Sequence, residues 1–258
     1  MTIALNHSRA MALRHLRELW RQPWYVAVTL VQPIIWLLLF GALFKRVVEI
    51  PGFGGGDYIE FLTPGIVVMT AIFSAGWSGM GIINDLDRGV MDRLLVSPVR
   101  RGSLIAGRLL QLGITIVIQS VVVVGLALLA GARFDGGVAG VAVLIGVSVL
   151  LAWTIGALSI GFALVARREE SLIGAVQFVI LPATFLSSAF MKQSLAPGWI
   201  QDVAGWNPVD WAVLAGREAL GSSVDWSLVA ARAGYLAALA VACAWLAGRA
   251  FRAYQRSV

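Results

Sequence analysis

The hydrophobic positions of this chain fall into long stretches that are separated by short polar connections. A helix needs roughly 20 apolar residues to cross the hydrocarbon core of a bilayer, which is ~30 Å thick. Six stretches reach that length, at residues 24–44, 58–83, 104–130, 138–166, 171–191 and 228–250. The pattern therefore predicts an all-α integral membrane protein with six transmembrane helices, and a single transmembrane domain over residues 1–258.

Residues 1–22 follow an amphipathic pattern instead. When they are wound as a helix, Ala12, Leu13, Leu16, Leu19 and Trp20 share one face and the opposite face is charged. Such a helix can lie in the headgroup layer, so we predict an interfacial elbow helix that packs against the bundle. A simple positively charged anchor before the first span is the alternative.

Residues 192–227, between the fifth and sixth spans, are rich in tryptophan. Trp199, Trp206, Trp211 and Trp226 suit a membrane–water interface, and prolines break the segment into short pieces. Residues 209–220 could form a short helix. The segment is therefore predicted to be an external loop with aromatic anchors, or a set of short helices at that surface.

The composition excludes other classes of protein. Hydrophobic residues make up 59% of the chain and charged residues 13%, whereas soluble domains average about 45–50% and about 25%. The net charge of +6 does not indicate nucleic-acid binding here, because basic residues in membrane proteins encode orientation. Most Lys and Arg residues lie in the N-terminal segment, the second and fourth connections and the C-terminal end. Both termini are therefore expected in the cytoplasm, with the chain in the cell membrane and in contact with its lipids.

The sequence offers few candidates for a catalytic, ion-binding or nucleotide-binding site. The predicted span centres carry no ionisable residues, which argues against an ion or proton pathway. The glycines at 52–56 are followed by no Lys-Ser/Thr pair, so they do not match a phosphate-binding P-loop. No spacing typical of a metal site or of a nucleophile elbow occurs. We therefore predict no catalytic residue, no metal site and no cofactor in this chain.

Residues 84–101, which connect the second and third spans, form the densest polar motif. Its charges are mixed, with three Asp and four Arg, and Val90, Met91, Leu94 and Leu95 recur at helical spacing before Ser97-Pro98. A short helix of this kind can bury its apolar face in a groove on a partner, while its charges fix the register. It could equally pack on its own bundle, and the pattern leaves both possibilities open.

The motif resembles the signature of type-2 ABC export permeases, especially the daunorubicin/doxorubicin-resistance group and its polysaccharide-exporting relatives. The residues that carry the resemblance are Asp85, Asp87, Gly89, Asp92, Leu94, Leu95, Pro98 and Arg101, followed by Gly107-Arg108. Aspartates stand where Glu is common in the family, Val90 replaces a frequent Thr, and Arg108 replaces a frequent Lys. Each change keeps charge or shape. Chain length, elbow, number of spans and motif position also match.

The resemblance implies a division of labour between subunits. A separate ATPase subunit would bind ATP and magnesium, and a second permease copy, identical or related, would complete the membrane unit. The segment after the second span would be a coupling helix on the ATPase, formed by Asp85, Asp87, Arg88, Gly89, Asp92, Arg93, Leu94, Leu95, Pro98 and Arg101. Short re-entrant helices would cap the pathway between spans five and six.

Large apolar side chains on the first, second and fifth spans are candidates for a substrate pathway. These are Phe40, Phe44, Met69, Phe73, Trp77, Phe178 and Phe185. Aromatic and methionine side chains favour apolar or amphipathic ligands, although most such residues in any bundle only pack or face lipid. Pro33, Pro64 and Pro182 are expected to kink the same three spans.

The favoured function is thus the permease subunit of an ATP-driven exporter of drug-like or lipid-like molecules. A polysaccharide or glycolipid export permease is the alternative within the family. Outside it, a membrane-embedded lipid-modifying enzyme, an ion-coupled transporter and a non-transporting scaffold remain as alternatives.

Overall fold

The computed structural model describes residues 23–50, 57–89 and 101–255, and this part of the chain is helical and contains no strand. The side chains of residues 23–29, 101–103 and 255 lie outside the description. The α-helices are α1 (Pro23–Leu43), α2 (Tyr58–Gly76), α3 (Met80–Asp87), α4 (Arg101–Leu129), α5 (Gly137–Ala166), α6 (Glu169–Phe185), α7 (Gly198–Trp206), α8 (Pro208–Leu220) and α9 (Trp226–Gln255).

Four helical columns are long and apolar enough to cross a membrane. They are Tyr58–Asp87, Leu104–Leu129, Gly137–Ala166 and Trp226–Tyr254, with 26 to 30 residues each. They coincide with the predicted second, third, fourth and sixth spans, and the prediction of an all-α multi-pass membrane protein is confirmed at this level. The first of these columns continues through residues 84–87, which the sequence analysis assigned to the connection.

Two helices that do not qualify as spans coincide with the other two predicted spans. α1 coincides with the first, and its described apolar part is Leu30–Leu43. α6 has 17 residues and ends at Phe185, before the predicted end at residue 191. The predicted elbow at residues 1–22 and the glycine-rich turn at 52–56 lie outside the described residues.

α5 lies at the centre of the bundle and packs against α9, α8, α2 and α4. Small residues permit these close approaches. A Cβ atom on Gly140 or Gly136 would collide with the backbone of Ala219 in α8, and one on Gly161 would lie 3.5 Å from the Ala247 backbone in α9. Small residues at helix contacts allow backbones to approach in membranes, where the hydrophobic effect supplies no extra attraction between helices.

α6 ends where α8 supplies new hydrogen-bond partners. The Asn207 side chain caps α8 by accepting from Val209 N at 3.0 Å, while its Nδ2 donates to the carbonyls of Ala183 and Leu186. The Ser188 N–H donates to the fully buried Asp210 carboxylate at 2.7 Å. These side chains supply partners for backbone groups at and after the last turn of α6, which would otherwise lack intrahelical partners.

The column of α2 and α3 is interrupted by a 3₁₀ turn at Trp77–Gly79. Ser159 of α5 holds this turn, because its Oγ accepts from Gly79 N at 3.0 Å and donates to the Gly76 carbonyl. The interruption therefore does not lie at Pro64, which stays within α2.

Candidate ligand cavity and coupling segment

A cavity of about 560 Å³ lies between α1, α2 and α4. Pockets for small molecules usually occupy about 300–1,000 Å³, so its size suits such a ligand. Its lining residues come from these three helices, from the 3₁₀ turn and from α3: Gln32, Pro33, Met69, Thr70, Phe73, Ser74, Trp77, Ser78, Gly81, Arg108, Gln111, Leu112, Thr115 and Gln119.

One wall of the cavity is apolar and aromatic. Met69, Phe73 and Trp77 recur every four residues and so share one face of the second span. These three belong to the predicted pathway set, and the structure brings them together. Trp77 is 36% exposed, which leaves its ring accessible from the cavity.

The facing wall on α4 is polar and was not anticipated from the sequence. Arg108, Gln111, Thr115 and Gln119 follow at spacings of three and four residues, which places them on one helical face. Gln119 is only 1% exposed, and its Oε1 accepts from the Ser74 hydroxyl at 3.0 Å. Its Nε2 has no hydrogen-bond partner within the described residues. The helical spacing of these polar side chains could have indicated the wall from the sequence, but they lie within a long apolar stretch that was interpreted only as a membrane span.

An ion pair lies at the end of the cavity nearest to residues 84–89. Arg108 Nη2 pairs with the Asp85 carboxylate and also donates to the Gly81 carbonyl at 3.1 Å. Both side chains are partly exposed. The first acidic residue of the predicted coupling segment is therefore tied to α4, and the pair connects that segment directly to the cavity wall.

The structure places the predicted coupling residues only in part. Asp87 and Arg88 are exposed at the end of α3, and Gly89 follows with a left-handed φ of 63°. Glycine adopts this conformation without the steric cost that a Cβ atom would add. Arg101 is the first residue of α4. Asp92, Arg93, Leu94, Leu95 and Pro98 lie outside the described residues.

The remaining predicted pathway residues do not line the cavity. Phe40 and Phe44 of α1 lie in an aromatic cluster, with Phe40 in ring contact with Phe190 at 5.7 Å and Phe44 with Tyr58 at 6.0 Å. Phe185 stacks on Phe190 at 5.7 Å between centroids and is 61% exposed. Phe178 is 81% exposed on the surface of α6.

A buried charged network on α8 was also missed by the sequence analysis. The guanidinium of Arg217 lies 3.8 Å from the Phe61 ring centroid and donates to the carbonyls of Phe61 and Ser188. Asp210, two turns earlier on α8, is fully buried and interacts electrostatically with it. The separation of seven residues was a usable signal, because such residues share a helical face.

The fold is that of a helical multi-pass membrane protein with a cavity of small-molecule size. Residues 7–220 match the family described as ABC-2 type transporter. The chain belongs to this family, and its role is that of a transmembrane permease subunit. Permeases of the family work with an ATPase subunit and are not themselves enzymes.

Several curated relatives carry names of the same kind. The chain is 29% identical to the daunorubicin resistance ABC transporter permease protein DrrB1 of Streptomyces coeruleorubidus over 203 residues, which cover 77% of this chain and 69% of that protein. It is 30% identical to the putative transport permease ycf38 of Pyropia yezoensis, over 86% of this chain and 76% of that protein. It is 27% identical to the probable doxorubicin resistance ABC transporter permease protein DrrC of Mycobacterium tuberculosis, over 75% and 70%.

Proposed function

We propose that the chain is the permease subunit of an ATP-driven exporter that moves drug-like or lipid-like amphipathic molecules out of the cytoplasm or the inner leaflet. The cavity carries this proposal, because one wall is aromatic and the other offers hydrogen-bonding groups. The names of two relatives, which refer to daunorubicin and doxorubicin resistance, support the same class of cargo.

In the proposed topology, α1 and α6 complete six spans in the cell membrane, residues 1–22 form an elbow helix and both termini are cytoplasmic. α7 and α8 are re-entrant helices near the external surface. The burial of α8 against α5 and α9 supports this, as do Trp199 and Trp206, which are exposed as interfacial tryptophans would be.

Residues 84–101 are proposed to transmit the conformational change of a partner ATPase to the permease. A separate ATPase subunit holds ATP and magnesium, and its surface receives Asp85, Asp87, Arg88, Gly89, Asp92, Arg93, Leu94, Leu95, Pro98 and Arg101. Two permease copies, identical or related, pair with two ATPase subunits. The exposure of Asp87 and Arg88 supports a docking role for this end of α3.

The column of α2 and α3 offers a path from this contact to the cavity. Movement of residues 84–89 displaces α3, and the Trp77–Gly79 turn joins α3 directly to the helix that carries Met69 and Phe73. The ion pair between Asp85 and Arg108 carries the same movement to the polar wall. Closure of the ATPase pair would therefore change the shape of both walls together.

Reversal of charge at two aspartates of the coupling segment tests the proposal. We expect Asp87→Lys with Asp92→Lys to lower both the copurified ATPase subunit and daunorubicin transport into inverted vesicles at least about tenfold, since loss of a buried interface charge pair costs ~2–5 kcal/mol. Asp85 is left intact because it pairs with Arg108.

Asp135→Lys with Asp202→Lys is the matched control, because both residues are exposed outside the coupling segment, Asp135 before α5 and Asp202 in α7. This variant should retain the ATPase subunit and transport. Full association and transport in the Asp87/Asp92 variant would refute the coupling assignment.

A further inference from the structure

The polar wall of the cavity has hydrogen-bonding capacity that the described protein does not use. Gln119 is almost fully shielded from solvent, since its exposed fraction is 1%, and Ser74 satisfies only its Oε1. The Nε2 amide faces no acceptor within the described residues. Leaving a buried donor unpaired costs about 1–3 kcal/mol, so this position favours a bound molecule that brings an acceptor oxygen.

Gln119 lines the cavity, but its Nε2 is shielded in this conformation. A rotation of the side chain is needed for a ligand oxygen in the cavity to pair with this amide. The cavity volume of about 560 Å³ lies within the range of about 300–1,000 Å³ that pockets for drug-sized ligands occupy.

The distribution of polar groups selects the shape of the ligand. From Arg108 to Gln119 the polar face of α4 extends roughly 16 Å, at a rise of about 1.5 Å per residue. The Thr115 hydroxyl donates to the Gln111 carbonyl at 3.1 Å, and its oxygen still accepts a second bond. A phospholipid concentrates its polar atoms at one end, so its acyl chains would leave most of this face unpaired. A flat molecule with oxygens along one edge pairs with α4 and places its apolar face against Phe73 and Trp77.

We propose that the cavity between α1, α2 and α4 is a ligand site within one permease subunit, that it takes flat amphipathic molecules with acceptor oxygens along one edge, and that Gln119 selects for those oxygens. That the ligand is also the cargo rests on the proposed function. Binding itself requires only this chain, without an ATPase subunit or nucleotide.

The experiment measures daunorubicin binding to the purified permease in nanodiscs by fluorescence, with empty nanodiscs as the blank. Daunorubicin serves as the probe because its planar rings carry carbonyl and hydroxyl oxygens. Gln119→Leu keeps the volume of the side chain and removes its donor, so we expect a roughly three- to tenfold rise in Kd. Trp77→Ala should raise the Kd as well, because it removes the aromatic wall.

Ser120→Ala is the matched control, since Ser120 is equally buried, neighbours Gln119 and lies off the cavity face. Its Kd should equal that of the wild-type protein, and melting curves confirm that each variant is folded. The proposal is overturned if the wild-type chain does not bind the probe, or if either folded variant, Gln119→Leu or Trp77→Ala, keeps the wild-type Kd. Displacement of the probe by phosphatidylglycerol, to the same extent in wild type and Gln119→Leu, would assign the cavity to lipid and also overturn it.

Failure of this inference and failure of the proposed function are distinguishable. If Gln119→Leu still transports daunorubicin and keeps the wild-type Kd, the ligand site is refuted and the exporter function stands. If binding depends on Gln119 but the chain never associates with an ATPase subunit, the ligand site stands and the exporter function is refuted.

Discussion

Arg217 is a cation inside the bundle, and its contacts join three separate parts of the chain. It lies on α8, its Nη2 donates to the Phe61 carbonyl of α2 at 3.2 Å, and it also donates to the Ser188 carbonyl after α6 at 2.8 Å. The Phe61 ring adds a cation–π contact. A residue with this many buried partners fixes where α8 lies relative to the spans.

We expect Arg217→Met to lower the free energy of unfolding by about 1–3 kcal/mol, because it leaves the carbonyls of Phe61 and Ser188 without their donor and removes the cation that acts on the buried Asp210 carboxylate from a longer distance. Adding Asp210→Asn should restore part of this loss, since the amide that replaces the carboxylate is neutral and its oxygen could still accept from Ser188 N. Denaturant unfolding in detergent measures both changes. Arg133→Met, at an exposed position, should shift stability by no more than about 0.5 kcal/mol. If the changes in unfolding free energy of Arg217→Met and Asp210→Asn were strictly additive, an energetic coupling between the two residues would be refuted.

At the scale of an element, the 3₁₀ turn at Trp77–Gly79 depends on a neighbouring helix. Ser78 donates to the Ala75 carbonyl at 2.6 Å within its own column and to the Gly156 carbonyl of α5 at 3.3 Å. Ser159 bonds both Gly76 and Gly79. The turn is therefore held in place by α5, which makes it a fixed joint between the cavity wall and α3.

Gly79→Ala should disturb this joint, because a Cβ atom there would lie 2.5 Å from the Ser159 carbonyl oxygen, whose backbone cannot give way easily. We expect a fall in melting temperature and weaker daunorubicin transport. Gly146→Ala in α5 is the matched control, since its Cβ would meet open space and alanine favours the helix. Equal melting temperatures for the two variants would show that the turn tolerates displacement.

The sequence predicted the four long columns well, because uninterrupted apolar runs determine membrane-spanning helices with few competing signals. It did not predict the joint at Trp77–Gly79 or the end of α6 at Phe185. Both depend on side chains distant in sequence, Ser159 in one case and Asn207 and Asp210 in the other. Local composition pointed instead to Pro64, which α2 accommodates.

Part of the cavity lining could be named from the sequence. Met69, Phe73 and Trp77 were selected as large apolar side chains of the second span, and they line the cavity; their contact with a substrate stays a prediction. The polar wall could not be predicted, because the spacing of residues within α4 does not show which helix lies against it. Gln119, for example, is held by a hydrogen bond from Ser74, which lies on the second span.

At the scale of the whole molecule, long-range hydrogen bonds assign each connection to one end of the bundle. Gly136 N donates to the Leu220 carbonyl at 3.1 Å, so the connection before α5 lies beside the end of α8. Arg133 N donates to Glu60 at 2.8 Å, which brings the start of α2 to the same end. α5 then runs for 30 residues, about 45 Å, to residues 167–170 at the opposite end.

This arrangement makes the proposed orientation testable with two single cysteines. Ser223→Cys follows α8 and Glu170→Cys lies in the first turn of α6; both positions are exposed, and Cys243→Ala removes the native thiol. We expect a membrane-impermeant maleimide to label position 223 in intact cells and position 170 only after lysis, because the positive charges of Arg167 and Arg168 favour the cytoplasmic side. α5 is the critical element, since its 30 residues extend about 45 Å against a core of ~30 Å and separate the two positions. Labelling of both cysteines from outside would mean that α5 does not separate them across the membrane, and labelling of position 170 alone would invert the proposed orientation.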